Sequence, residues 1–212
     1  MEKQILEALN TRYATKKFDP TRIISEELLT TILESLRLTP TSYGLQLMKV
    51  VVVENADKRN ALLPYSYGQR QVVDASHLLI LCREKLAQPT HVEEYINTIS
   101  TTRNVPSENL DGFKNMMLDT IKNMSEEASS IWMDKQTYIA LGNLLNTCAL
   151  LNIDACPMEG FQAAEYNREL GLDNLNLSAV LTIPIGYRAE DDANAKVKKV
   201  RRSTEDFVVR VK

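Results

Sequence analysis

The sequence predicts an α+β fold, on three observations. Short apolar runs rich in β-branched residues occur at 48–54, 77–83 and 177–188. One long helical pattern of apolar residues spans 130–151. Most of what lies between has helical periodicity and is polar on one side. No internal repeat or linker divides the chain, so residues 1–212 are expected to form one domain.

The elements follow in order. Ile5, Leu6 and Leu9 share one face of a helix over 2–11. "RYATKKFDP" (12–20) ends at Pro20 and reads as a loop or short extended piece. Ser25 caps the next helix, with Glu26 and Glu27 in its first turn and an apolar face of Leu28, Leu29, Ile32, Leu33 and Leu36. Pro40 ends it, and "TPTSYGLQ" (39–46) is a polar loop. "MKVVVVE" (48–54) and "HLLILCR" (77–83) read as buried strands, and Asn55 starts a short helix between them. Residues 90–130 are polar and mostly helical, with a break at 104–107. The helix over 130–151 carries Ile131, Tyr138, Leu141, Leu144, Leu145 and Cys148, and its apolar length predicts a central position. "IDACPMEGF" (153–161) is short and extended. A helix over 163–170 is closed by Gly171 in a left-handed cap. "LSAVLTIPIGYR" is the third strand, and the alternation from Phe207 to Val211 predicts a further strand-like piece.

Composition narrows the functional classes. The 212 residues are 44% hydrophobic and 25% charged, as in a globular protein. A net charge of -3 argues against general nucleic-acid affinity. Three cysteines with no CxxC argue against a disulfide framework and fit a reducing compartment. His77 and His91 have no paired Cys/His spacing, so no metal is expected. The acidic amphipathic start lacks a signal-peptide pattern, and the cytoplasm is the expected location. Neither GxGxxG nor GxxxxGK[ST] occurs, so side-chain cations must hold the phosphate of any nucleotide-like ligand.

Four constellations can carry chemistry. Arg12 and Lys16 can grip an anion, either from one helical face or converging from an extended loop; the alternative is a solvated basic loop. Lys196, Lys198, Lys199, Arg201 and Arg202 form a second basic cluster, read either as an anion site or as a solvated surface or weak nucleic-acid or membrane patch. Thr41, Ser42 and Gln46 offer hydrogen bonds to a polar ligand, or merely stop a helix. In "PMEG", Pro157 to Gly160, backbone N–H groups can face a flat ligand, or the segment is only a turn.

Taken in order, these segments resemble the nitroreductase family of FMN-dependent oxidoreductases, and most closely its oxygen-insensitive NAD(P)H nitroreductase and dihydropteridine reductase branch. The resemblance rests on "RYATKKF", "PTSYGLQ", "DASH" (74–77), "WMDKQ" (132–136), "PMEGF" (157–161) and "KVR" (199–201). It implies a mixed central sheet surrounded by helices, and a homodimer with the long helix at its interface. It implies FMN as cofactor, Arg12 toward the phosphate and Lys16 toward the N1/O2 edge, with Tyr13 and Ala14 alongside. Lys199 and Arg201 become the second pair on the phosphate. Pro40, Thr41, Ser42, Gly44 and Gln46 become a loop reaching FMN from the partner subunit, and Gln71 a ring contact. Pro157, Met158, Glu159 and Gly160 lie under the flavin, with Glu159 the one candidate catalytic residue. The implied reaction is ping-pong, with hydride passing from NADH or NADPH to flavin N5 and electrons then to nitroaromatics, quinones or another flat electrophile. Within the resemblance, a specific enone or pteridine reductase and a non-catalytic flavin binder remain alternatives. Lys17 receives no partner. The family's substrate channel falls in 90–130, where Met116, Met117 and Leu118 are the expected lining. The chain departs from the family at Ala14, at Leu47-Met48 and at Gly68.

Overall fold

The computed structural model describes residues 1–212. Helix α1 (Glu2–Thr11) is followed by α2 (Glu26–Arg37), whose cap is Ser25 accepting the Leu28 N–H. Strand β1 (Met48–Val53) leads through Asn55, which caps α3 (Ala56–Leu62), to the one-turn helix α4 (Gln71–Asp74) and strand β2 (His77–Glu84). Next come α5 (Pro89–Arg103), α6 (Asp111–Lys122) and the long α7 (Glu126–Leu150). Strand β3 (Asp154–Ala155), α8 (Ala163–Leu170), β4 (Leu177–Gly186) and the short α9 (Thr204–Phe207) complete the order. Gly171 takes the left-handed cap after α8, at φ 65°.

The strands lie in the order β1-β2-β4-β3 and every pair is antiparallel. A single parallel bridge, Ala14 to Ala155, makes the arrangement mixed. β2 is central and covered on both faces. Leu78, Ile80 and Cys82 point into a core with Phe18, Leu62 and Tyr166. Leu79 and Leu81 point into a second core with Leu29, Ile32, Leu36, Ala140 and Leu144. Two buried faces explain why its sequence is an unbroken apolar run.

β4 changes faces part-way along. Leu177 and Ala179 belong to the Phe18 core, whereas Leu181, Ile183 and Ile185 belong to the Leu144 core. All five are odd-numbered and would share one face of a regular strand. The register explains the switch: Leu81 pairs with Leu181 and Cys82 with Ala179, so Val180 is an extra residue in a β-bulge.

Four expectations need correction. β1 is an edge strand, not a buried one: Lys49 is exposed, and of its six residues only Val53 is fully buried, because only β2 flanks it. Residues 207–211 form no strand; the chain turns through α9, and Phe207, Val209 and Val211 are exposed. α7 packs against α1, α2 and the sheet, as a central helix does, but is buried along one side only. Met133, Gln136, Ala140, Leu144 and Cys148 are buried, while Ile131, Tyr138 and Ile139 stand exposed. α1 has no buried residue at all, so its predicted apolar face lies open.

Gly186, at the end of β4, sits against the chain that precedes β2. A Cβ there would lie 2.9 Å from Ser76 N, 3.1 Å from Phe18 Cδ1 and 3.3 Å from Ser76 Cβ. Backbone cannot yield as a flexible side chain does. Gly186→Ala is expected to cost about 1–3 kcal/mol, the usual scale of overpacking, read as an earlier urea midpoint at unchanged slope.

Candidate functional site

The site begins where α1 stops. Arg12 turns extended (φ -65°, ψ 141°), so Arg12 and Lys16 do not share a helical face. The extended chain runs past β3 through the Ala14–Ala155 bridge and past Arg188 through the Phe18 bridge. One carboxylate fixes this stretch. Asp192 is 2% exposed. Its Oδ2 accepts the Tyr13 hydroxyl at 2.9 Å and the Lys16 and Lys17 N–H groups at 3.0 and 3.2 Å. Its Oδ1 accepts the Asn194 N–H at 3.0 Å. Burial alone would raise the pKa of Asp192, but these four donors outweigh it and hold it at about 2. Tyr13 is pushed the other way, to about 12, by burial and by its bond to Asp192.

A group whose pKa is depressed on folding adds stability above its unfolded value and loses it as pH falls through the folded one. For Asp192 the contribution is roughly 2 kcal/mol. The stability difference between wild type and Asp192→Asn is expected to be constant above pH 4 and to shrink between about pH 4 and pH 2. Urea titrations at stepped pH would check this.

Two basic clusters meet beside this carboxylate. Arg12, Tyr13, Ala14, Arg188, Lys199 and Arg201 line one cleft of about 470 Å³. Lys199 Nζ donates to the carbonyls of Leu9 and Arg12, which ties the later segment onto the end of α1. Burial and then the Arg201 guanidinium lower the pKa of Arg12. Burial, Arg12 and Arg201 lower that of Lys199. None of Arg12, Lys16, Lys199 and Arg201 forms an ion pair, although ten pairs occur elsewhere in the chain. Three mutually repelling cations around one cleft have the chemistry of a polyanion site. Arg188 is already spent: it pairs with Asp154 (Nε to Oδ1, 2.8 Å) and stacks 4.7 Å over the Tyr13 ring. Lys17 also has a partner, the exposed Asp191.

The "PMEG" segment adjoins the same stretch. Lys16 is near enough to Cys156 for its charge to oppose the rise that burial imposes on that thiol. Met158 pairs with Thr182 in both directions, and Phe161 N–H donates to Glu159 O. The N–H groups of Glu159 and Gly160 are left without a protein acceptor. Gln69 Nε2 donates to Gly160 O at 2.9 Å, which brings the start of α4, and the buried Gln71 with it, to this segment. Glu159 Oε1 accepts the Tyr138 hydroxyl at 2.5 Å, and that bond, with burial, raises Tyr138 to about 12.

The 39–46 loop lies elsewhere in the chain. Thr41, Ser42 and Gln46 pack with Trp132, Met133 and Gln136, and Ser42 N–H donates to Gln136 Oε1 at 2.9 Å. Gln46 folds back, its Nε2 donating to Arg37 O at 2.6 Å. Gly44 takes φ +80°, and a Cβ there would collide with the Tyr95 hydroxyl. Pro40 is exposed. By contrast, a second cleft that shares Arg12 and Arg188 is lined by Ala149 and Leu150, at the other end of α7. From Gln136 to Leu150 is about 21 Å along a helix. One chain therefore does not unite the loop with the cations.

The expected channel lining also changes. Met117 is fully buried in a third core with Leu45, Leu47, Val92, Ile96 and Met133, so it lines nothing; Met116 is half exposed. The sequence reading gave no site role to Asp192, Arg188, Gln69 or Tyr138. Each acts through a contact made from far along the chain, and none belongs to a local motif.

Known proteins supply the comparison. The model of the Nitroreductase family matches residues 9–187. A Staphylococcus haemolyticus protein, provisionally named an NAD(P)H nitroreductase, is 37% identical over 98% of this chain and 97% of its own. A nitroreductase-type structure from Bacillus subtilis covers 100% of both chains at 21% identity, with a TM-score of 0.88. Another, from Exiguobacterium sibiricum and solved in complex with FMN, covers 98% of this chain and 97% of its own at 18% identity, with a TM-score of 0.83. No helix of this chain is long and apolar enough to cross a membrane.

Proposed function

The chain belongs to the nitroreductase family, and from that premise we propose that it is an FMN-dependent NAD(P)H oxidoreductase reducing nitroaromatics, quinones or similar flat electrophiles. The observation that carries this reading is the cleft with Arg12, Lys199 and Arg201, whose charge no carboxylate of the chain answers. A phosphate monoester brings about 1.5–2 negative charges at neutral pH, so the donor set fits FMN at its phosphate end. The unpaired N–H groups of Glu159 and Gly160 fit the polar edge of its ring. FMN, when bound, supplies hydride and electron transfer between a nicotinamide and an acceptor.

The residues of the chain do the rest. Arg12, Lys199 and Arg201 bind the phosphate, with Tyr13 and Ala14 forming the wall. Lys16 stands at the edge where negative charge builds on reduction. Pro157, Met158, Glu159 and Gly160, steadied by Gln69, form the floor, with Gln71 beside them. Donor and acceptor use one flat surface in turn, which makes the kinetics ping-pong. Glu159, held by Tyr138, orients the molecule stacked there.

The second half of each site comes from a partner copy. The loop of Pro40, Thr41, Ser42, Gly44 and Gln46 lies too far from the cations of its own chain. Exposed Ile5 and Leu6 of α1 and Ile131, Tyr138 and Ile139 of α7 offer the apolar surface of a homodimer. Three free, buried cysteines agree with a cytoplasmic protein.

A direct test is to add FMN to the purified protein and then NADH under argon. Saturable FMN uptake followed by bleaching of the flavin absorbance is expected. A protein that takes up no FMN ends this reading, and one that takes it up without bleaching is a binder. Lys16→Ala is expected to make the flavin potential more negative, because a fixed cation at the reduced ring edge is lost. Spectroelectrochemistry reads this, and an unaltered potential removes Lys16 from that edge.

A further inference from the structure

We propose that Glu26, Glu54 and His77 form a site for one divalent transition-metal ion of the zinc type, separate from the cation cleft. The three residues come from three elements: the first turn of α2, the residue after β1, and the first residue of β2. One ligand atom of each lies within 4.8 Å of the other two. Their spacing in the sequence, 26, 54 and 77, matches no metal motif, and only the β1–β2 pairing and the capped α2 bring them together.

Surface carboxylates gather readily, so the two glutamates alone would mean little. The pointer is His77. It is 5% exposed, yet its Nε2 makes no hydrogen bond; the nearest charged atom, Glu54 Oε1, stands 3.9 Å away. The opposite nitrogen is held from behind. His77 Nδ1 lies 2.9 Å from Ser76 Oγ, and that oxygen accepts the Ile24 N–H at 2.8 Å. A ring fixed through one nitrogen, with the other open toward the Glu54 carboxylate, is how metal-binding histidines are oriented.

The charges point the same way. Glu26 and Glu54 pair with no lysine or arginine. Arg59 is the nearby cation, but its guanidinium donates to the carbonyls of Val72, Val73, Ala75 and Ser76. Two carboxylates therefore share one spot with no cation to answer them. One imidazole with two carboxylates suits zinc-type ions better than calcium, with water completing the shell. Binding is a ligand exchange: the ion gains three protein donors, loses waters, and any proton on Nε2 leaves to solvent.

Isothermal titration of the full, EDTA-treated protein with zinc chloride tests this. One ion per chain is expected, and cobalt chloride should give visible absorption of a low-symmetry site. Glu54→Gln and Glu26→Gln, both exposed positions that the fold tolerates, should each weaken zinc at least about tenfold, while His91→Gln should leave it unchanged. FMN retention should be the same in all of them, which separates this site from the cation cleft. No saturable zinc uptake by wild type, or wild-type affinity in both glutamate variants, overturns the proposal.

Discussion

Asp192→Asn is expected to lower stability by about 3 kcal/mol and FMN affinity by at least tenfold. The buried carboxylate meets five donors: one hydroxyl, three backbone N–H groups and, at 3.4 Å, the Asn194 side-chain amide. Asparagine offers a single accepting oxygen, and its NH₂ would face donors already there. Even with that oxygen turned toward Tyr13, Lys16 and Lys17, the Asn194 N–H loses its acceptor and meets the new NH₂, and an unsatisfied group costs about 1–3 kcal/mol. For a chain of this length that loss lowers Tm by about 6–12 °C. The effect on FMN has a different origin. The N–H groups of Lys16 and Lys17 find their acceptor only in this side chain, so the spacing between Arg12 and the ring-edge cation loosens without it. Calorimetry and flavin-fluorescence titration read the two effects separately. A variant that melts normally, or that binds FMN normally at a temperature where it is folded, contradicts the role given to Asp192.

Arg12→Ala combined with Arg201→Ala should separate binding from stability in sign. Each guanidinium–phosphate bond is worth about 1.5–3 kcal/mol, so FMN affinity should fall by more than about a hundredfold. The two sites share one cleft, so the losses will not add simply. The FMN-free variant should nevertheless be as stable as wild type or slightly more so, because Arg201 already depresses Arg12 and both depress Lys199. Removing two of three repelling cations relieves the empty cleft. Thermal melts with and without FMN would show this: the wild type gains several degrees on adding FMN, and the variant gains almost nothing. A variant less stable than wild type without FMN would mean that the arginines serve packing rather than a ligand.

What the sequence made legible follows from range. Ser25, Asn55 and Gly171 act on neighbours within a few residues, and the structure uses each as its local pattern predicts. The apolar runs located β1, β2 and β4. They could not say which strand lay at an edge, because Val50 to Val53 looks the same whether one partner or two flank it. The alternation at 207–211 misled for a related reason: a period of two describes a face, and here no sheet offers a place for it. The candidate cations were visible as charge clusters, and the family motifs gave their order. Asp192, which sets the Lys16–Lys17 backbone, was invisible, because one aspartate among acidic neighbours carries no mark of having five donors around it. The same holds for His77, read as the last residue of "DASH" and found beside two glutamates from distant segments.

The extra residue at Val180 has a consequence for how this chain tolerates change. β4 is two reading frames joined at one position: odd residues before it face Tyr166, and odd residues after it face α7. Substituting Val180 alters one side chain. Deleting it would erase the frame change, so that restoring one half of the strand to its core turns the other half inside out. The strand should therefore accept many exchanges of residue type at this point and almost no change of length.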